Sequence, residues 1–236
     1  MKTANPQQSR IAVVIPALNE EASLPKVLGD LPWERLAEVV VVDNGSSDHT
    51  AAVAQAHGAT VLSEPRRGYG WACLAGIDYL QDKQPDILVF LDGDYSDYPD
   101  ELVDVVRPIL EEGYDMVIGS RPQRAGAGAL LRHAQLGNAL ATWLIRRLYG
   151  FSYTDLGPFR AIRFPKLLAI EMQDKTYGWT VEMQIKAIRH KLRITEVPVR
   201  YRQRIGTSKV SGTLKGTILA GWKILWTVFR YARRAV

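Results

Sequence analysis

The chain has 236 residues, 47% hydrophobic and 23% charged, a balance and length that suit one globular α/β domain. A lone cysteine, Cys73, excludes a disulfide framework and a cysteine-based zinc site. The net charge of +5 conceals a polarity: residues 186–236 hold thirteen Lys or Arg against one acid, Glu196, so the tail should face something anionic.

The first ten residues, MKTANPQQSR, carry no apolar run, and neither a secretory signal nor a transit peptide is expected. No segment reaches about 18 uninterrupted apolar residues, so no spanning helix is expected, and the lone cysteine makes the cytosol the simplest compartment. The first half then alternates between two periods. RIAVVIPA (10–17), EVVVVDNG (38–45), ATVLSE (59–64), DILVFLDGD (86–94) and DMVIGS (115–120) are short, β-branched runs that suit strands buried on both faces of a parallel sheet. Helical segments lie between them: one N-capped by Asn19, one capped by Ser47 or Asp48 and running to His57, then 69–81 and 99–112. This βαβα order predicts a mostly parallel twisted sheet with helices on both faces, and such sheets bind ligands beyond the carboxyl ends of their strands. Further on, 126–150 and 179–191 read as helices, 154–164 as a turn entering a short strand, and 192–204 as a strand. No repeat or linker interrupts the chain.

Three polar clusters fall on that one rim: PALNEE, DNGSSD and DGDYSD. Each alone could be ordinary turn chemistry, since turns use Asn, Asp, Gly and Ser. Three together favour a site. No G-x-G-x-x-G follows the first strand and no G-x-x-x-x-G-K-[ST] occurs, which disfavours a dinucleotide fold and a P-loop NTPase. Asp92-Gly93-Asp94 places two hard oxygen ligands past a buried strand, with a glycine that lets a ligand approach. The pair suits Mg²⁺ or Mn²⁺, with a substrate's phosphates supplying further ligands.

Taken in order and spacing, VVIPALNEE, VVVVDNGSSDHT, RRGYGWA, VFLDGDYSDYPDEL, VIGSRP and VPVRYRQRIGTSK resemble family 2 glycosyltransferases of the GT-A fold. Within that family the resemblance, over roughly 10–210, is to polyprenyl-phosphate sugar synthases such as dolichyl-phosphate mannose synthase. It implies a D-x-D-dependent, inverting hexosyltransferase that uses a UDP- or GDP-linked sugar. Pro16, Ala17, Asn19 and Glu20 would line the nucleotide pocket, and Asp43 would meet base or ribose. Gly68 and Gly70 would form the turn beside the nucleotide. Asp92, Gly93 and Asp94 would meet metal and donor diphosphate, with Asp92 and Asp94 as metal ligands. Arg121, Arg132, Arg204 and Lys209 would meet donor or acceptor phosphates, Asp155 would be an acid near the acceptor, and Trp179 and Glu182 would lie next to the sugar.

Rival readings exist: Glu20 as helix-start charge, Asp43 as a turn cap, Arg121 paired with an acid, and Asp155 as a turn cap rather than a base. A lipid-phosphate acceptor is already ionised and hardly needs a base, whereas a sugar hydroxyl would require Asp155 to act as one. The sequence departs from the family pattern at two places. Ser96 stands where these synthases have Gln, leaving Asp97 as the candidate third metal ligand. The nucleotide turn reads D-N-G-S instead of D-D-G-S. The Q-x-x-R-W signature of processive synthases is absent, and an acidic PALNEE turn disfavours a sugar-phosphate nucleotidyltransferase.

Residues 212–236 project at ~100° per residue into a basic arc (Lys215, Lys223, Arg230, Arg233, Arg234) opposite Leu214, Ile218, Trp222, Leu225, Val228 and Phe229. That pattern predicts an interfacial helix on the cytoplasmic membrane face, following a catalytic domain of residues 1–211. The rival is a helix packed on its own domain or on a second copy. Nucleic acid is not expected, because the aromatics lie apart from the bases. The expected function is transfer of one sugar to a polyprenyl phosphate. The alternatives are transfer to a glycan or small-molecule hydroxyl, and a non-catalytic, membrane-associated nucleotide-sugar binding module.

Overall fold

The computed structural model describes residues 9–206 and 214–232, with the side chains of Arg132 and 214–218 outside the description. Seven strands form one sheet: β1 (Ile11–Ala17), β2 (Leu36–Asp43), β3 (Thr60–Ser63), β4 (Ile87–Phe90), β5 (Met116–Ala125), β6 (Arg160–Arg163) and β7 (Ile194–Tyr201). Their order is β3-β2-β1-β4-β6-β5-β7, and only β6 runs antiparallel to its neighbours. The helices are α1 (Leu24–Gly29), α2 (Thr50–Ala56), α3 (Tyr69–Gln81), α4 (Leu102–Glu111), α5 (Arg132–Tyr149), α6 (Phe164–Ala169), α7 (Trp179–Arg189) and α8 (Leu214–Ala232).

The strand pleat divides the core in two. Val14, Val40, Val42, Leu88 and Phe90 point to one face and pack with Ala72, Cys73, Ile77 and Leu80 of α3 and with α7. Val13, Ile15, Val39, Val41 and Val89 point to the other, against Leu24, Val27 and Leu28 of α1 and Val105, Val106 and Ile109 of α4. These strands are continuous apolar runs because both faces are covered. In β1, Val14 pairs with Val40 and Phe90 on either side, so the ends of β1, β2 and β4 are held on one rim.

Several expected boundaries move. Asn19 is not an N-cap: it sits at φ +54° in a turn, and α1 starts at Leu24. Its Oδ1 accepts the N–H of Ser47 (2.8 Å), 28 residues on, and is thereby taken up by the turn after β2. β4 ends at Phe90, so Asp92 and Asp94 lie in the loop beyond it. α5 begins at Arg132, because 126–131 form a loop with Gly128 at φ +72°. Glu101 starts its helical turn buried and bound to Arg200 through Nε (2.7 Å) and N–H (2.7 Å), which ties that turn to β7.

The α8 stripe is split. Thr227, Val228 and Tyr231 are buried against the body, whereas Leu219, Trp222, Trp226 and Phe229 are exposed. The helix therefore packs on its own domain and still presents an apolar face outward. Among the described residues no helix is long and apolar enough to cross a membrane.

Candidate active site

Two cavities open on the rim. The first, about 420 Å³, lies between the β1 turn, the start of α3 and the loop after β4. Pro16, Ala17, Glu20, Asn44, Asp92, Gly93 and Asp94 line it, as do Thr176, Tyr177 and Arg204. The second, about 840 Å³, is walled by α5 and lined by Arg121, Thr154, Asp155, Tyr201 and Arg204. Arg204 borders both, so a group in one cavity and a group in the other can meet at a shared cation.

The turn beside the first cavity is held by Asn44, a buried residue. Its Nδ2 donates to the carbonyl oxygens of Glu64 (2.9 Å) and Arg66 (2.8 Å), and its Oδ1 accepts the N–H of Gly68 (2.7 Å). An aspartate could not donate twice, which gives the D-N-G-S departure a structural reason. Gly68 and Gly70 press on the backbone of residues 174–175, where a Cβ on either would strike a carbonyl oxygen. Asp43 does not line the cavity; its Oδ1 accepts the N–H of Ser46 (2.9 Å). Asn19 is likewise turned to Ser46 and Ser47, away from the cavity lining.

Past β4, Asp92 accepts from the hydroxyl of Tyr69 (3.0 Å), and Asp94 accepts from Ser96 N–H (2.9 Å) and Oγ (2.5 Å). Ser96, standing in the place of the expected Gln, thus orients Asp94. The other oxygen of Asp94 pairs with Arg204 Nη1 (2.7 Å). Burial, and then the adjacent Asp94 charge, push the Asp92 carboxyl up to about 6, opposed by Arg204 and the Tyr69 hydroxyl.

Asp97 does not join them. No cluster of three or more His, Cys, Asp or Glu suited to a metal occurs among the described residues. Asp97 bridges to Tyr201 through its backbone, which draws its side chain under the rim, 1% exposed and with neither oxygen hydrogen-bonded. Burial first, and then the charge of Asp92, raise its carboxyl well above the usual range.

In the second cavity Asp155 is fully engaged. Oδ2 accepts from Arg121 Nε (2.6 Å) and N–H (3.0 Å), and Oδ1 accepts from Arg121 Nη2 (2.8 Å) and Leu156 N–H (2.8 Å). Burial alone would lower the Arg121 pKa, and the Asp155 charge with its hydrogen bonds more than reverses it. Glu196 on β7 fixes the loop from behind, accepting from Thr154 N–H (3.0 Å), Thr154 Oγ1 (2.8 Å) and Asp155 N–H (3.2 Å). Asn138 of α5 clamps it from the side, donating to Thr154 O (3.1 Å) and accepting from Leu156 N–H (2.9 Å).

Trp179 and Glu182 line neither cavity. Trp179 is buried edge-on against Phe90, and Glu182 is buried under residues 173–174, whose N–H groups it accepts. Of the remaining expected residues, Lys209 and the Arg132 side chain lie outside the described residues.

Residues 12–169 match the family described as Glycosyl transferase family 2. The chain belongs to that family. An uncharacterized glycosyltransferase of Mycobacterium tuberculosis (strain ATCC 25618 / H37Rv) is 38% identical over 223 residues, covering 91% of this chain and 97% of the relative. A dolichyl-phosphate hexose transferase of Haloferax volcanii is 34% identical over 204 residues, covering 85% and 86%. Among solved structures, glucosyl-3-phosphoglycerate synthase of Mycobacterium tuberculosis, in complex with Mn²⁺, UDP and phosphoglyceric acid, superposes with a TM-score of 0.77. It is 24% identical, with 97% of this chain and 80% of that one covered, and shares the GT-A fold.

Sequence reading of this family 2 glycosyltransferase missed Asn44, Asn138, Glu196 and Arg160. Arg160, fully buried below the 155–158 loop, donates to the carbonyl oxygens of Gly157 and Thr180 (3.0 Å to the latter). These are supporting contacts between elements distant in sequence. Two of the residues carry a signal: Glu196, as the one acid in the basic tail, and Asn44, as the departure in D-N-G-S.

Proposed function

We propose that this glycosyltransferase moves a single sugar, with inversion, from a UDP- or GDP-linked sugar to the phosphate of a polyprenyl phosphate. The observation that carries the acceptor is Asp155. Four accepted hydrogen bonds, two of them from a guanidinium, already occupy both of its oxygens, so neither is turned to meet an acceptor hydroxyl. A hydroxyl acceptor would need such a base. A phosphate monoester is already ionised and needs only positioning and charge neutralisation. Arg121 and Arg204 line the cavity on that side, and Arg132 and Lys209 complete the cation set in this reading. The name of the Haloferax volcanii relative supports a lipid phosphate.

The donor would occupy the smaller cavity, with Pro16, Ala17, Glu20 and Gly93 along it, Gly70 supporting its turn, and Asp43 and Asn19 behind the rim. The residues present fit a divalent cation: two adjacent carboxylates, one of them resisting ionisation beside the other, offer hard oxygen ligands. Asp92 and Asp94 would hold it, and Mg²⁺ or Mn²⁺ so bound would neutralise the charge that builds on the departing diphosphate. Mn²⁺ and UDP in the complex of the structural neighbour support both choices. The acceptor phosphate oxygen forms the new bond to the anomeric carbon as the bond to the diphosphate breaks on the opposite face. The electron pair leaves with the diphosphate.

A lipid acceptor implies a lipid surface. Leu219, Trp222, Trp226 and Phe229 of α8 support attachment of 212–236 to the cytoplasmic membrane face, with residues 1–211 as the catalytic domain. α5 walls the larger cavity and exposes Leu136, Leu140 and Trp143 beside it.

Incubation with labelled UDP- or GDP-sugars, Mn²⁺ and a short-chain polyprenyl phosphate should give an extractable labelled lipid, and Asp94→Asn should abolish it. Label confined to water-soluble products would overturn the acceptor assignment. Unchanged activity of Asp94→Asn would overturn the metal assignment.

A further inference from the structure

The loop between α6 and α7, residues 170–178, forms a strap that carries one wall of the smaller cavity, through Thr176 and Tyr177. On its inner side it lies against the glycine turn. Trp71 N–H donates to the carbonyl of Lys175 (3.2 Å), and Gly68 and Gly70 leave no room for a side chain between turn and strap. On its outer side it is tied to α8. Asp174 is buried and uses both oxygens: Oδ1 accepts the N–H groups of Thr176 (2.8 Å) and Gly178 (3.1 Å), and Oδ2 pairs with Lys223 Nζ of α8 (2.9 Å).

Two more ties run the same way. Glu182, which accepts the Gln173 and Asp174 N–H groups, also accepts the hydroxyl of Tyr231 of α8 (2.6 Å). A Cβ on Gly178 would collide with Thr227 Oγ1 of α8 (2.6 Å), so strap backbone and helix are in direct contact.

We propose that the Lys223–Asp174 pair makes α8 the support of the donor-binding wall, with Asp174 as a positioning residue for the nucleotide-diphosphate sugar. The proposal rests on the donor reading of the smaller cavity given above. Asp174 touches no reacting atom. It holds the turn that presents Thr176 and Tyr177, and Lys223 compensates the charge that would otherwise be buried alone. Removing Lys223 leaves that carboxylate unpaired, which is costlier than removing both charges together. The pair should therefore act non-additively, and it should act on donor affinity.

The test is calorimetric titration of the full chain with Mn²⁺ and UDP, and with Mn²⁺ and GDP. The variants are Lys223→Met, Lys223→Arg, Asp174→Asn and the double Lys223→Met/Asp174→Asn. The wild type is expected to bind one of the two nucleotides, with Kd raised on the order of tenfold in Lys223→Met. Binding should be largely restored in Lys223→Arg, and the double variant should bind more tightly than Lys223→Met. In turnover assays the donor KM should rise while the acceptor KM and the melting temperature of Lys223→Arg stay at wild-type values. Donor Kd unchanged in both Lys223→Met and Asp174→Asn would overturn the proposal, as would equal losses for donor and acceptor. A wild type that binds neither nucleotide removes the donor reading and this inference together; wild-type binding with unaffected variants overturns the strap alone.

Discussion

Asp97 is a carboxylic acid shut beneath the rim of the sheet, 1% exposed and close to Asp92 and Asp94. Read as a string, it was one of four acids in DGDYSDYPD and the candidate third ligand. Folded, its backbone bridge to Tyr201 carries it beneath the rim, where its oxygens find no partner. The folded carboxyl binds its proton more tightly than the unfolded one, so the native state holds more protons from pH 3.8 up to the raised folded value. The resulting stability is full below that window and is lost as pH rises through it. Relative to Asp97→Asn, the wild type should therefore lose up to about 1.4 kcal/mol per pH unit across it. Urea unfolding of both proteins at pH 5, 6, 7 and 8 measures that difference, and parallel curves would show that Asp97 is charged in the fold. Whatever fixed offset the amide introduces does not enter, because the slope alone is compared.

At the scale of elements, legibility followed apolar runs set off by turn residues. The 69–81 helix and the β1, β2 and β3 runs are of that kind, and the structure places them within a residue or two of expectation. The 165–178 stretch has no such run and yields no reading, yet it supplies most of α6 and the strap along the smaller cavity. β6 was legible as a strand, but its antiparallel direction was not, since alternation in a four-residue run is the same either way. The site residues divide similarly. Asp92, Asp94, Glu20 and Arg204 stand in recognisable motifs and do border the cavities. Glu196 acts across 41 to 42 residues of chain, and Asn138 across 18, on one loop, and only the fold brings them there.

Because β7 holds that loop through Glu196, the element contact is testable from the β7 side. Glu196→Gln, with the amide nitrogen in the place of Oε1, sets a donor against the Thr154 and Asp155 N–H groups, at a cost of about 1–3 kcal/mol. The acceptor KM should rise several-fold while donor affinity holds. A donor-side defect of equal size would mean the loop serves both cavities.

For the whole molecule the question is what the two outer helices face. Neither Arg132–Tyr149 nor Leu214–Ala232 contains an acidic residue, and both carry bases. The helices touch, with Tyr149 donating its hydroxyl to the carbonyl of Val228. Each leaves large apolar side chains in solvent: Leu136 at 73%, Trp143 at 58% and Trp222 at 69% exposure. Apolar faces with a purely basic rim match an anionic bilayer surface, where area burial and headgroup attraction add. If one bilayer accepts both helices, Trp143→Gln and Trp222→Gln should each weaken binding to anionic phospholipid vesicles, roughly tenfold apiece from the apolar area lost. Tryptophan emission of the wild type should shift to shorter wavelength on vesicle addition, and each variant should lose part of that shift. A Trp143→Gln protein that binds and shifts like the wild type would leave α8 as the sole contact. In that case the mouth of the larger cavity would stand clear of the lipid, and an acceptor would have to leave the bilayer to reach Arg121.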